Sequence, residues 1–181
     1  MPHELQEWLP REEVLTYEET VRLIRVATEL GVSKVRITGG EPLTRRDVLS
    51  FFWMLRSVPG IHDLGLSTNG TLLTRRTESG LIMAESLQAA RVRSVNISLD
   101  TLDRQVYAQT TGRDFLPQVL AGIEAAIAAG FDQIKLNCVL MRGRNQDQLV
   151  PLVEYAGAKN LLLRFIELMP VSTGDVLHAE N

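Results

Sequence analysis

The chain has 181 residues, of which 45% are hydrophobic, and this is enough for one domain with an apolar core. Its formal net charge of −3 argues against a general binder of nucleic acid or of membrane surfaces. One cysteine, Cys138, excludes an internal disulfide framework and a multi-cysteine metal site made by this chain alone. With no evident signal peptide and no bilayer-spanning apolar run, we expect a cytoplasmic protein.

Strand and helix signals alternate along the chain. Strands are predicted at residues 34–38, 63–68, 94–99, 133–141 and 161–166. Helices are predicted at residues 16–30, 44–58, 77–90, 103–109, 116–129 and 146–158. Strands that alternate with amphipathic helices indicate a parallel sheet joined by right-handed crossovers. We therefore expect an α/β fold, an incomplete (βα) barrel with its helices outside.

Residues typical of helix ends support these boundaries. Thr16 and Glu19 form a capping box at the start of the first helix, and Gly31 follows its end. The third predicted helix has no glycine near Arg91, where one would be expected to close it. A left-handed Arg91 would cost about 1 kcal/mol relative to glycine.

The first predicted strand runs into Gly39, Gly40, Glu41 and Pro42. Two glycines at a strand end let the backbone approach a ligand closely and adopt φ angles barred to other residues. Glu41, held by Pro42, would lie at the mouth of any cavity that the strand lines. The alternative is an ordinary βα turn with a solvated glutamate.

One face of the predicted sheet is polar and basic, whereas strands covered by helices on both faces should be almost continuously apolar. The residues concerned are Lys34, Arg36, Thr38, Asn96, Ser98, Lys135, Asn137 and Arg164. Either the sheet is open to water on this face, or it curls into a partly filled barrel, which the helix after every strand favours. Unpartnered cations around one volume would be very costly, so an anionic ligand such as a polyphosphate is indicated.

Ligand sites in such folds lie at the carboxyl ends of the strands. The residues that fall there are Gly39, Gly40, Glu41, Ser67, Asn69, Ser98, Asp100 and Met169. Taken singly, Ser98 and Asp100 fit as caps of the next helix, Asn69 as a turn residue and Met169 as packing. Their coincidence on one rim indicates a site.

Five segments, KVRITGGEP, STNG, NISLDTLD, KLNCVLMRG and RFIELMP, occur in this order. In this order they resemble the radical S-adenosylmethionine (SAM) enzymes and, within them, the GTP 3′,8-cyclases of molybdenum cofactor biosynthesis. The resemblance covers almost the whole chain, from Glu7 to Pro170. It implies a lyase that converts GTP to 3′,8-cyclo-7,8-dihydro-GTP, using a radical made from SAM at a [4Fe–4S] cluster.

The resemblance also implies which residues bind the two ligands. SAM would be held by Gly39, Gly40, Glu41, Ser98 and Met169. GTP would be held by Lys34, Arg36, Ser67, Lys135 and Arg164. Position 67 is typically threonine in the family, and the serine here keeps the hydroxyl. No residue of this chain is expected to act as a catalytic acid or base or to bind a metal.

The chain departs from the family pattern at its ends. The family's CxxxCxxC cluster loop, whose last cysteine precedes Met-Pro, is absent before Met1-Pro2, and so are the three cysteines of a second cluster after Asn181. We expect a connecting segment at 1–15 that follows the absent loop, a partial barrel at 16–170 and the start of an absent C-terminal region at 171–181. By itself the chain is predicted to be inactive.

Two alternatives stay open. One is a non-catalytic nucleotide-binding remnant, which the missing cysteines favour. The other is a different radical SAM enzyme, such as a peptide-modifying one, which would keep Gly39–Pro42 but would not need basic residues on facing strands. The partners implied by the resemblance are GTP, a second copy in a homodimer and, in the family, a downstream cyclic pyranopterin synthase. Neither nucleic acid nor a membrane is expected.

Overall fold

Five parallel strands form one sheet in the order in which they occur in the chain. The structure is a computed structural model that describes residue 10 and residues 13–168. The strands are β1 (Lys34–Ile37), β2 (Asp63–Thr68), β3 (Ser94–Ser98), β4 (Gln133–Leu140) and β5 (Leu162–Glu167), and every neighbouring pair is parallel. The helices are α1 (Tyr17–Glu29), α2 (Val48–Arg56), α3 (Met83–Ala89), α4 (Arg104–Thr111), α5 (Leu116–Ala129) and α6 (Leu149–Ala158). The predicted α/β fold, a partial barrel of parallel strands, is confirmed.

The ends of the helices follow local chemistry. The Thr16 hydroxyl accepts a hydrogen bond from the Glu19 amide at 3.1 Å, and the Glu19 carboxylate accepts one from the Thr16 amide at 2.8 Å. This reciprocal pair is the predicted capping box of α1. The left-handed Gly130 ends α5 where the sequence predicted. The predicted segments at 1–15 and 171–181 fall almost wholly outside the described residues, as does Met169.

Side chains alternate between two unlike faces of the sheet. The face that meets the helices is apolar and includes Leu66, Ile97, Leu136 and Cys138, all fully buried. Burial raises the pKa of Cys138 to about 12, and the Asp100 carboxylate adds to the rise. Cys138 is therefore a core thiol on the face opposite Lys135.

Besides α6, which begins at Leu149 rather than at 146 because the 3-10 turn Gln146–Gln148 precedes it, two helices begin later than predicted. α3 starts at Met83 rather than near residue 77, because Gly80 is left-handed and the Thr77 amide bonds to the Leu81 carbonyl at 2.9 Å in a tight turn. α2 starts at Val48 rather than at 44, because a short 3-10 turn, Pro42–Thr44, precedes it. In both places hydrogen bonds between close neighbours compete with the helix.

Candidate functional site

The second face of the sheet, which we call the polar face, carries the predicted site residues in register. Ser67, Asn96 and Lys135 are opposite one another on β2, β3 and β4. One row nearer the carboxyl ends, Ser98 and Asn137 pair in register, and Asn137 pairs with Arg164. Side chains in register on one face of a sheet are neighbours, so the sheet brings these residues together.

Arg36 lies flat across the polar face. Its Nη1 donates to the Leu66 carbonyl at 3.0 Å, and its Nη2 donates to Ser94 Oγ at 2.8 Å. A Cβ atom at Gly65 would be 2.7 Å from Arg36 Cζ, so only a glycine leaves room for the guanidinium. The sequence analysis missed this contact of Gly65 with Arg36, although a glycine inside a strand often marks such a close approach.

Arg164 approaches the same volume from β5. Its Nε and Nη2 donate to Asn137 Oδ1 at 3.0 and 2.7 Å. Although much of Arg36 is exposed, burial of its guanidinium lowers its pKa, and the charge of Arg164 lowers it further, against an opposing effect of Asp63. The two arginines therefore act on one another across the polar face.

The cations of the polar face were expected to lack partners, and this is only partly right. Arg36 and Arg164 are held by neutral acceptors of the sheet, which orient them without cancelling their charge. Among the described residues, none of Lys34, Arg36, Lys135 and Arg164 forms an ion pair with a carboxylate. The positive charge of this face therefore remains available to an anion.

Lys34 is the predicted site residue that lies farthest from the rim. It begins β1 at the amino end of the sheet, opposite Asp63 in register, and its side chain is exposed. Asn96, by contrast, is buried near the centre of the polar face, where its Nδ2 donates to Ser67 Oγ at 3.4 Å. Its Oδ1 is buried and has no hydrogen-bond partner among the described residues.

Glu41 links the loop after β1 to the end of β2. Its Oε1 accepts hydrogen bonds from the Leu43 amide at 3.1 Å and from the Thr68 hydroxyl at 2.8 Å. Its Oε2 accepts one from the Asn69 amide at 2.7 Å. The carboxylate therefore fixes the two neighbouring loops at the rim, and its predicted contact with SAM remains a prediction.

The rim next to Glu41 has room for a ligand. A Cβ atom at Gly39 or at Gly40 would meet nothing within 4 Å, so packing of the protein does not require either glycine. Ser98, on the same rim, is exposed. Open space above two glycines at the end of β1 fits a nucleoside-type cofactor such as SAM.

Asp100 has a different role from the helix cap considered for it. Its Oδ1 accepts from the Val139 amide of β4 at 2.7 Å, and burial raises its pKa. Asp103 caps α4 instead, accepting from the amides of residues 105 and 106. The fully buried Asn145, which the sequence analysis missed, donates to the carbonyls of both Asp100 and Val139 at 2.9 Å. These bonds lock the ends of β3 and β4 together.

The sequence profile of the radical SAM superfamily matches residues 3–156, which is most of the chain. The chain belongs to the radical SAM superfamily. Among curated relatives, the GTP 3′,8-cyclase of Ectopseudomonas mendocina is 46% identical over 167 residues, covering 92% of this chain and 48% of the relative. That of Staphylococcus saprophyticus is 42% identical over 165 residues, covering 91% and 46%. The chain thus spans about half the length of the curated relatives it matches.

Solved radical SAM structures have the same fold. Streptococcus suis SuiB bound to S-adenosylmethionine aligns with a TM-score of 0.72 at 19% identity, covering 88% of this chain and 35% of that one. HydG, a maturase of the [FeFe]-hydrogenase, aligns with a TM-score of 0.68 at 14% identity, covering 93% and 38%. At these identities the likeness concerns the fold alone. None of the described helices is both long enough and apolar enough to cross a membrane.

Radical SAM enzymes combine SAM with a [4Fe–4S] cluster that cysteine thiolates hold. The only cysteine of these 181 residues is Cys138, which is fully buried in the core and resists deprotonation. Among the described residues, no group of three or more His, Cys, Asp or Glu side chains could hold a metal ion. The residues of this radical SAM chain therefore fit SAM but do not fit the cluster.

Proposed function

We propose that this chain supplies the SAM-binding rim and the triphosphate-binding face of a GTP 3′,8-cyclase. The observation that carries the proposal is the polar face, where Arg36, Lys135 and Arg164 converge without a carboxylate partner among the described residues. Relatives named GTP 3′,8-cyclase at 42–46% identity support GTP as the anion. GTP offers a triphosphate that matches these cations in charge.

The residues of the chain act in this proposal by binding and orientation. Arg36 and Arg164, already oriented by neutral acceptors, donate to phosphate oxygens, and Lys135 adds a point charge between them. Ser67 donates its hydroxyl, and Lys34 adds charge at the amino end. When bound, SAM supplies the radical chemistry, which the protein does not perform itself.

At the rim, the backbone of Gly39 and Gly40 and the carboxylate of Glu41 hold the amino group of SAM. Ser98, at the end of β3, contacts SAM from the same rim. The resemblance also implies a contact between the adenine of SAM and Met169, which is outside the described residues. No step that requires the cluster is assigned to this chain. The proposal also places the protein in the cytoplasm, as a homodimer and upstream of a cyclic pyranopterin synthase, and these parts of it rest on the resemblance alone.

The test is a calorimetric titration of the 181-residue chain with GTP, ATP and guanosine. We expect both triphosphates to bind and guanosine to bind far more weakly, because the cations contact phosphate. Arg36→Ala and Lys135→Ala should each weaken GTP binding at least tenfold, since a hydrogen bond to a charged group contributes about 1.5–3 kcal/mol. Arg25→Ala, an exposed arginine of α1, is the matched control. Guanosine that binds as well as GTP would contradict the proposal.

The second candidate is a non-catalytic nucleotide-binding protein, because the one cysteine of these 181 residues, Cys138, is buried in the core and holds no cluster. Both candidates predict the same titration, because both use the polar face. The two candidates predict different iron and sulfide contents for the protein purified from its natural source. Iron and acid-labile sulfide at cluster stoichiometry would support the cyclase, whereas their absence together with GTP binding would support the non-catalytic protein.

A further inference from the structure

A charged cavity lies at the opposite end of the sheet from the proposed site. Its volume is about 400 Å³, and it opens at the amino ends of β2, β3 and β4. β2 and β3, of six and five residues, separate it from the carboxyl rim by on the order of 15–20 Å. We call it the amino-end cavity. Three arginines line it, Arg56, Arg91 and Arg93, with Asp132 as the one acidic residue.

Asp132 neutralises one of the three arginines. Arg93 Nε donates to Asp132 Oδ2 at 2.6 Å, and the carboxylates of Asp132 and Asp63 both raise the pKa of Arg93. Arg56 donates through Nη1 to the Ala89 carbonyl at 3.0 Å and lies 4.9 Å from the centre of the Trp53 ring. It has no carboxylate partner among the described residues. Arg56 therefore lines the cavity with an uncompensated charge.

Arg91 is in an unusual backbone conformation. Its φ is +63°, and the other non-glycine residues with positive φ in the described part of the chain are Asp47 and Asn160. Asp and Asn adopt this region readily, whereas an arginine there costs about 1 kcal/mol relative to glycine. The turn itself uses backbone hydrogen bonds, from the Arg91 amide to Gln88 and from the Val92 amide to Leu87, which a glycine would form equally well.

The side chain of Arg91 is thus not needed for the turn that it occupies. Within the part of the chain that the structure describes, it makes no side-chain hydrogen bond and no ion pair. A residue kept at a strained position without a structural role is a reason to look for a functional one. The function consistent with this side chain is to present a guanidinium to the amino-end cavity.

We propose that the amino-end cavity binds a small phosphorylated organic ligand, with Arg56 and Arg91 as the phosphate-binding residues. Guanidinium groups bind phosphate through paired hydrogen bonds, and the two arginines provide donors that no carboxylate occupies. Ile61, which is half-buried, supplies an apolar wall on which the organic part of the ligand packs, and the core residues Leu55 and Leu64 lie behind it. A volume of about 400 Å³ is within the range of small-molecule sites.

The test is calorimetric titration of the 181-residue chain with AMP and with inorganic phosphate. We expect AMP to bind more tightly than phosphate, because the apolar wall contacts only AMP. Arg91→Gly should leave the thermal midpoint unchanged or raise it, since glycine fits the backbone, and should weaken AMP binding about tenfold or more. Arg91→Asn, which also suits a positive φ, should give the same result, and Arg91→Lys should retain part of the affinity.

Arg36→Ala distinguishes the two sites, because it removes a cation of the polar face only. AMP binding that survives Arg36→Ala and is lost in Arg91→Gly supports the amino-end cavity, whatever the outcome of the GTP titration. AMP binding unchanged in Arg91→Gly overturns the proposal. AMP binding lost in Arg36→Ala instead assigns the ligand to the polar face and also overturns it, as does phosphate binding as tightly as AMP.

Discussion

Gly65 lies directly beneath the guanidinium of Arg36, so close that a Cβ atom there would be 2.7 Å from both Cζ and Nη2 of the arginine. The same Cβ would be 2.8 Å from Ser94 Oγ, the acceptor of the Arg36 Nη2 hydrogen bond. A glycine on β2 therefore sets the position of a cation on β1. The contact joins three strands, because Arg36 is on β1, Gly65 on β2 and Ser94 on β3.

Gly65→Ala is expected to displace Arg36 from its two acceptors. GTP binding should weaken about as much as in Arg36→Ala, because a displaced guanidinium loses its orientation toward the phosphates. Calorimetry measures this effect. A double variant, Gly65→Ala with Arg36→Ala, should bind GTP no more weakly than Arg36→Ala alone. Additive losses in the double variant would contradict the contact.

Gly122 and Gly157 are both helical glycines, yet alanine should have opposite effects at the two positions. A Cβ atom at Gly122 of α5 would be 2.1 Å from the Gly70 carbonyl oxygen, a backbone atom that cannot move aside easily. A Cβ atom at Gly157 of α6 would meet nothing within 4 Å. Urea unfolding should show Gly122→Ala destabilised by about 1–3 kcal/mol or more, and Gly157→Ala stabilised by about 0.5–1 kcal/mol. Equal effects would contradict the packing of α5 on the β2 loop.

Glu41→Gln should destabilise the rim even without a ligand. Three donors point at the two carboxylate oxygens, so a side-chain amide in either orientation leaves at least one backbone amide facing another donor. A buried donor without a partner costs about 1–3 kcal/mol, which urea unfolding would detect. Glu78→Gln, an exposed glutamate in the loop before α3, is the control and should change stability by less than about 0.5 kcal/mol. A stability loss confined to the SAM-bound protein would contradict the structural role of Glu41.

Cys138 should make the free energy of unfolding fall as pH rises above 9. Its pKa is about 12 in the folded protein, whereas an unfolded cysteine ionises near pH 8.5, so the unfolded state loses its proton first. The stabilising contribution is complete below the unfolded pKa and is lost as pH rises toward 12. Between pH 8 and 10.5 the wild-type protein should therefore lose stability more steeply than Cys138→Ala. If the free energy of unfolding fell equally with pH in the two proteins, the fold would not be keeping the thiol protonated.

The 181-residue chain should bind no [4Fe–4S] cluster after anaerobic reconstitution and should not cleave SAM. One buried cysteine cannot supply three thiolate ligands. The measurements are iron and acid-labile sulfide content and chromatography of 5′-deoxyadenosine. Production of 5′-deoxyadenosine above a control without protein would contradict this expectation and would indicate a cluster held between chains.

The sequence by itself determined the order of the elements, the parallel sheet and the division of its two faces. These features are local, because a period of two places Lys135 and Leu136 on opposite faces and a glycine such as Gly130 ends a helix within one turn. The carboxyl rim followed from the same pattern, since parallel strands end at one edge. The pattern of apolar and polar residues along the chain, with the alternation of strands and helices, is enough to predict these features.

The tertiary structure decided which atoms meet at the site. Glu41 bonds to Thr68 across 27 positions of the chain, and Arg36 bonds to Ser94 across 58. No local pattern contains such pairs, so the loop-fixing role of Glu41 and the contact of Gly65 with Arg36 came only from the folded chain. The same holds for the amino-end cavity, whose arginines come from the end of α2 and the segment before β3. Contacts between distant residues depend on how strands and helices pack, which propensity and periodicity do not determine.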